Sequence, residues 1–247
     1  MKDFEGKYAV ITGATSGICA DAARMMAERG LAGIVIIGRN GERAKKVVAD
    51  CKEKGCDAFY SLCDVADTKQ IEATLDYIDQ VLPRVDVLVN GSAISPYDQP
   101  WDKESVEHWD MIIDTNLRSQ FLFCQAIGRK MISQEYGRIV NFSSCVARAG
   151  SGLSISYAAS KAGILGLTRS FAKAFGKYNV TVNALLPGVI ETPMLGDHDY
   201  SEAAKAWPMG RCGRPEELSE VVLFLASDKA SYLCGTGIDA NGGYIFS

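Results

Sequence analysis

Tyr157 and Lys161, in the run Ser156-Tyr157-Ala158-Ala159-Ser160-Lys161, stand four residues apart and share a face of any helix that carries them. The chemistry open to such a pair is proton transfer. A free phenol titrates near ~10, so it gives up its proton at neutral pH only where a fixed positive charge stabilises the phenolate, and Lys161 can supply that charge. For the pair alone, the plainer reading is an interfacial tyrosine beside a solvated lysine. The case for chemistry rests on the rest of the chain.

A second group of residues suits an anionic ligand. Thr12-Gly13-Ala14-Thr15-Ser16-Gly17-Ile18-Cys19 follows a short β-branched run directly. Gly13 permits a tight turn, Gly17 lets backbone approach a phosphate, and a helix opening there offers unpaired N–H groups to negative charge. At the junction of a first strand and a first helix, such a turn favours a dinucleotide site over a mere bend.

Positioning these groups requires an alternating scaffold. Strand-like runs are Tyr8 to Thr12, Ile34 to Gly38, Ala58 to Leu62, Val85 to Asn90, Arg138 to Ser143, Val180 to Leu186 and a last short one near Ile238. Helical apolar spacing covers Ile18 to Arg29, Glu42 to Lys54, Thr68 to Val81, Ser105 to Gln134, Ile155 to Phe175 and Glu216 to Ala226. The pattern predicts an α/β fold, a Rossmann-type doubly wound parallel sheet of about seven strands with helices on both faces. No linker or repeat divides the sequence, so residues 1–247 are expected to form a single domain. The irregular stretch Pro193 to Pro215 is a candidate substrate loop.

Bulk properties exclude several function classes. Hydrophobic residues at 47% and charged residues at 23% are those of a globular chain. Lys and Arg total 26 against 30 Asp and Glu, a net charge of −4 without a basic stripe, so nucleic acid is not an expected partner. The cysteines at 19, 51, 56, 63, 124, 145, 212 and 234 form no C-x-x-C pair, and His108 and His198 have no ligand-like spacing, so no metal site is expected. Without a signal-like apolar segment or a bilayer-length run, the expectation is a cytoplasmic protein with free thiols and no membrane partner.

The turn at 12–19, Asn90 after Leu88-Val89, Asn116, Ser144, Tyr157-x-x-x-Lys161 and Pro187-Gly188 together resemble the short-chain dehydrogenase/reductase family. The resemblance runs over nearly the whole chain, including Asp64-Val65 and Gly210-Arg211-x-x-x-Arg214-Pro215-Glu216-Glu217. It implies a catalytic set of Asn116, Ser144, Tyr157 and Lys161. Ser144, thirteen residues before Tyr157, would hold the substrate oxygen. Tyr157 would transfer the proton, and Lys161 would tune Tyr157 while reaching the nicotinamide ribose. Asn116 would hold a water linking Lys161 to solvent, and Ser143 is the structural decoy. For the cofactor it implies Gly13, Thr15, Ser16, Gly17 and Ile18 at the phosphates, with Asp64 and Val65 flanking the adenine. Asn90 would lie by the adenine ribose, and Pro187, Gly188, Ile190 and Thr192 on the nicotinamide side. A homotetramer built on the 105–134 and 155–175 helices is implied as well.

Departures from the family pattern bear on the cofactor. Cys19 stands where a third glycine is usual, Gly91-Ser92-Ala93 where Asn-Ala-Gly is usual, and Ala240-Asn241-Gly242-Gly243 lacks the usual Asp. Gly38 replaces the acid that NAD-preferring members place after the second strand, and Arg39 follows it, which favours NADP(H) over NAD(H). The expected activity is an NADP(H)-dependent interconversion of a secondary alcohol and a ketone on a small sugar, polyol, steroid or ketone. The alternative is a 3-oxoacyl-thioester (acyl carrier protein) reductase. It ranks second because the 134–136 and 177–179 turns concentrate little positive charge for an acidic carrier. A non-catalytic dinucleotide-binding regulator is a further alternative, suggested by Cys19 and 91–93 and opposed by the intact catalytic set. Tyr97, Trp101, Cys145, Met194, Leu195, His198 and Trp207 are candidates for pocket lining or loop anchoring, and none fixes the substrate.

Overall fold

A computed structural model of the chain describes residues 2–95 and 100–246. Tyr97 therefore lies outside the described residues. The strands are β1 Tyr8–Thr12, β2 Gly33–Gly38, β3 Asp57–Leu62, β4 Val87–Asn90, β5 Gly137–Phe142, β6 Val180–Pro187 and β7 Gly237–Ala240. They form one parallel sheet in the order β3-β2-β1-β4-β5-β6-β7. The order reverses between β1 and β4, and a doubly wound sheet opens its ligand crevice at that point, beyond the carboxyl ends of the strands.

Strand alternation builds a core layer on each face. Ala9, Ile11, Ile34, Ile36, Val87, Val89 and Val140 point to one side, against α1 Gly17–Glu28, α2 Gly41–Glu53 and the later helix Pro215–Ala226. Val10, Val35, Ile37, Leu88, Ile139 and Val182 point to the other, against α3 Thr68–Val81 and the helices Ser119–Ser133 and Ile155–Phe175. Burial on both faces explains the unbroken apolar runs of β2 and β4. Each fully buried Ile or Leu in these layers contributes about 1.5–3 kcal/mol. The α1 helix buries Ala20, Ala22, Ala23 and Ala27, whose small side chains let it lie close on the sheet and hold the turn before it.

The expected helix from Ser105 to Gln134 is interrupted. It consists of α4 Val106–Ile113, a π-helical turn Asp114–Arg118, and α5 Ser119–Ser133. The π turn widens the helix by one residue and buries Thr115 and Asn116. Two short helices were not expected: α6 Val146–Ala149, and α8 Ser201–Ala204 inside the 193–215 segment. Between and after them, α7 Ile155–Phe175 and α9 Pro215–Ala226 match their sequence spans to within a residue. Among the described residues no helix is long and apolar enough to cross a membrane, and no group of His, Cys, Asp and Glu is placed to hold a metal ion.

Candidate active site

The start of α7 and the end of β5 build one end of a cleft. Tyr157 and Lys161 fall on the buried face of α7, 8% and 1% exposed. Lys161 Nζ donates to the Phe142 carbonyl at 2.9 Å and lies 5.5 Å from the centroid of the Tyr157 ring. The Lys161 carbonyl accepts from Ser143 Oγ at 2.7 Å, so β5 grips the same residue at both ends. Burial pulls the Lys161 ammonium down to about 7, opposed by the neighbouring Cys19 thiol. Ser143 is thereby committed to helix backbone. Ser144 lines the cleft, its hydroxyl accepting from the Val146 N–H at 3.4 Å.

The cleft has a volume of about 710 Å³ and follows the carboxyl edge of the sheet from the β2 and β3 ends to the β6 exit. Gly13, Thr15, Ser16, Gly17, Ile18, Arg39, Asp64, Val65, Ser144, Tyr157, Lys161, Pro187, Gly188, Ile190 and Thr192 all line it, as the sequence predicts. Glycine is required in the turn: Gly13 and Gly17 have φ of 69° and 59°. A Cβ on Gly13 would also stand 2.7 Å from the Gly91 carbonyl carbon.

Two expected residues are not in the lining. Asn90 is fully buried, its Nδ2 donating to Asn141 Oδ1 at 2.9 Å and to Cys124 Sγ at 3.3 Å, so its side chain does not stand at a ribose site. Gly91 and Ser92 take the place beside the cleft. Asn116 is also fully buried. Its Oδ1 accepts from the Ile94 N–H at 2.9 Å, and its Nδ2 donates to the Ile94 carbonyl at 2.9 Å and to Ser160 Oγ at 3.2 Å. It ties the segment after β4 to α7.

Sequence reasoning missed Arg43, Ile94 and Tyr244. Arg43 faces the cleft from the first turn of α2, where its N–H caps onto Asn40 Oδ1 at 2.9 Å. Tyr244 arrives from the C-terminal end, its ring tilted at 57° and 5.0 Å from that of Trp207, which anchors the loop rather than lining the cleft. Met194, Leu195 and Tyr200 bring the 193–215 segment to the opening. Cys145 lines the wall, and burial pushes its thiol up, which makes it a poor nucleophile.

Charge divides the cleft. Arg39, Arg43 and Asp64 gather at the β2 and β3 end, with Arg39 Nη1 4.0 Å from Asp64 Oδ2. Beyond Tyr157, the described lining is Ile94, Cys145, Val146, Leu153, Met194 and their neighbours, without a charged side chain. A Cβ on Gly38 would meet Thr15 Cγ2 at 2.6 Å, so the β2 end is built without a side chain.

Comparison with known proteins gives a consistent picture. A family model described as enoyl-(acyl carrier protein) reductase matches residues 13–245. A 3-oxoacyl-(acyl-carrier-protein) reductase of Aquifex aeolicus is 38% identical over 243 residues, covering 97% of each chain. Among solved structures, a 3-oxoacyl-(acyl-carrier protein) reductase with bound NAD from Brucella melitensis is 30% identical with a TM-score of 0.91, over 99% of this chain and 94% of that one. A levodione reductase is 30% identical with a TM-score of 0.91, over 97% of this chain and 98% of that one.

Proposed function

From the premise that the chain belongs to the short-chain dehydrogenase/reductase family and is an NAD(P)-dependent oxidoreductase acting on CH–OH groups, we propose that it reduces a 3-oxoacyl thioester to the 3-hydroxyacyl thioester, with NADPH as the preferred cofactor. The observation that carries the reading is the lining beyond Ser144 and Tyr157, uncharged and largely apolar among the described residues, which suits an acyl chain better than a polyhydroxylated or anionic substrate. It reverses the order of the sequence expectation, in which sugars, polyols, steroids and small ketones came first. The relatives that bear the name of 3-oxoacyl reductase support the same order.

A dinucleotide suits the cleft because the glycine turn, the start of α1 and the Arg39 and Arg43 pair leave room and positive charge for phosphates. Gly13, Ser16, Gly17 and Ile18 would hold the pyrophosphate, Asp64 and Val65 the adenine, and Pro187, Gly188, Ile190 and Thr192 the nicotinamide side. Arg39 and Arg43 would pair with a 2′-phosphate, and the absence of an acid at Gly38 removes the group that would repel it. When bound, the cofactor supplies the hydride that the carbonyl carbon accepts. Ser144 donates a hydrogen bond to the substrate oxygen and orients it. Tyr157 gives its proton to that oxygen as negative charge develops, and the Lys161 ammonium stabilises the phenolate that remains. Asn116 fixes the distance between α7 and the wall at Ile94. The exposed apolar residues Val106, Trp109, Met111, Phe121 and Ile155 on α4, α5 and α7 support a homotetramer, which light scattering after size exclusion tests.

The decisive experiment follows NADPH and NADH oxidation with an acetoacetyl thioester, its crotonyl counterpart, a cyclic diketone and a sugar. Turnover of the acetoacetyl thioester with NADPH, without turnover of the crotonyl compound, is expected. Preference for the crotonyl thioester would make the chain an enoyl reductase. Cofactor binding without turnover of any compound would favour the regulator.

A further inference from the structure

We propose that Cys19 and Gly91 form a volume-exchanged pair that sets the width of the cleft floor between the turn after β1 and the exit of β4, and so positions the dinucleotide; the second half of this rests on the function proposed above. Cys19 lies in the first turn of α1, 4% exposed, and Gly91 is the first residue after β4. A Cβ built on Gly91 would overlap the Cys19 Sγ, with the Thr12 carbonyl oxygen at 3.1 Å. Gly91 has no left-handed φ, so its backbone accepts any residue and the sulfur is what excludes one.

The exit of β4 has no room to retreat. The Gly91 and Ser92 N–H groups both donate to Thr12 Oγ1, at 3.1 and 3.2 Å. On the side of the glycine turn, a Cβ on Gly13 would come within 2.8 Å of the Gly91 carbonyl oxygen and the Ser92 nitrogen. The Gly91-Ser92 backbone is thus clamped between the turn and the α1 helix, and Gly13, Cys19, Gly91 and Ser92 line the cleft. Burial pushes the Cys19 thiol up to about 12 against the pull of Lys161, so it serves as volume and not as a nucleophile. The cysteine at 19 and the glycine after Asn90 thus form one packing unit: the Cys19 sulfur fills the space that a side chain at 91 would need. On this account neither change signals a failed cofactor site.

The test compares Gly91→Ala, Cys19→Gly and the double variant with the parent by fluorescence titration of NADPH and NADH without substrate, and by thermal unfolding. Gly91→Ala is expected to weaken dinucleotide binding about tenfold or more, because an overpacked, clamped site must displace the turn. Cys19→Gly, which leaves a small void, is expected to weaken it about threefold. The double variant should return to within about threefold of the parent, a coupling that independent sites would not show. Parent-like binding by Gly91→Ala, or a double variant no better than Gly91→Ala, overturns the proposal. Unfolding temperatures that couple while affinities stay constant would reduce the pair to packing and overturn its positioning role. A parent that binds neither dinucleotide overturns the proposed function instead, together with the positioning role, and rescue of the unfolding temperature then decides the packing half.

Discussion

A buried ammonium beside a phenol is costly for folding, and under the proposed function the return is the proton that the phenol releases. Tyr157→Phe keeps the buried ring and removes the hydroxyl. The reductive kcat is expected to fall by about 10²–10⁴-fold, with dinucleotide affinity, read by fluorescence titration, changing less than about threefold. Equal losses in both would assign Tyr157 to cofactor binding and not to proton transfer. Cofactor choice is expected to turn on the contact between Gly38 and Thr15. Because the Thr15 methyl fills the place of a Cβ on Gly38, Gly38→Asp should weaken NADPH and NADH alike, whereas Thr15→Ala with Gly38→Asp should favour NADH. Dissociation constants for both cofactors check this, and tight NADH binding by Gly38→Asp alone would show that Thr15 rotates aside.

At the scale of elements, the π turn Asp114–Arg118 is what brings Asn116 inward to grip Ile94 and Ser160. Asn116→Ala leaves the Ile94 N–H and carbonyl without their side-chain partner in a partly buried wall, so it should cost about 2–4 kcal/mol in denaturant unfolding. It should also slow turnover by loosening the wall against α7, and an unchanged midpoint would show that water replaces the amide. The seven strands and the α7 span were legible because β-branched runs and apolar spacing persist through them. The π turn was hidden because a one-residue widening leaves the apolar spacing of 105–134 readable as one helix. The place of Asn90 was readable and was missed: Leu88 faces α3 and α5, and two residues on, Asn90 must face the same layer, where Asn141 receives it. Tyr244 carried no signal, since its neighbour Trp207 is distant in sequence and is met only through the fold.

At the scale of the molecule, the parallel sheet separates chemistry from anchoring. The carboxyl edge carries the cleft, and at the opposite edge Lys7, Tyr136 and the buried Arg138 converge on Asp228, tying the starts of β1 and β5 to the segment after α9. The cost of the catalytic edge should be visible in the pH dependence of global stability. The Lys161 ammonium titrates at about 7 in the folded chain, because of burial, against 10.5 as the ordinary value. Between these limits the unfolded chain binds more protons, so this group makes stability rise with pH across that window, and the penalty is fully present below about 7. Lys161→Met removes the titration. The variant should exceed the parent in unfolding free energy by roughly 3–5 kcal/mol below pH 7, with the gap closing as pH approaches 10. Cys19, Cys56 and Cys124, each pushed by burial to about 12, act in the opposite sense at alkaline pH, because the unfolded thiols ionise first. The difference between variant and parent cancels the Cys56 and Cys124 contributions, and because Cys19 is coupled to Lys161 the comparison is made in a Cys19→Ser background, so that denaturant unfolding at pH 6.5 and 9.5 isolates the lysine. A gap that stays constant between those two values would show that the buried ammonium is already compensated within the fold and that burying Lys161 carries no titratable cost to stability.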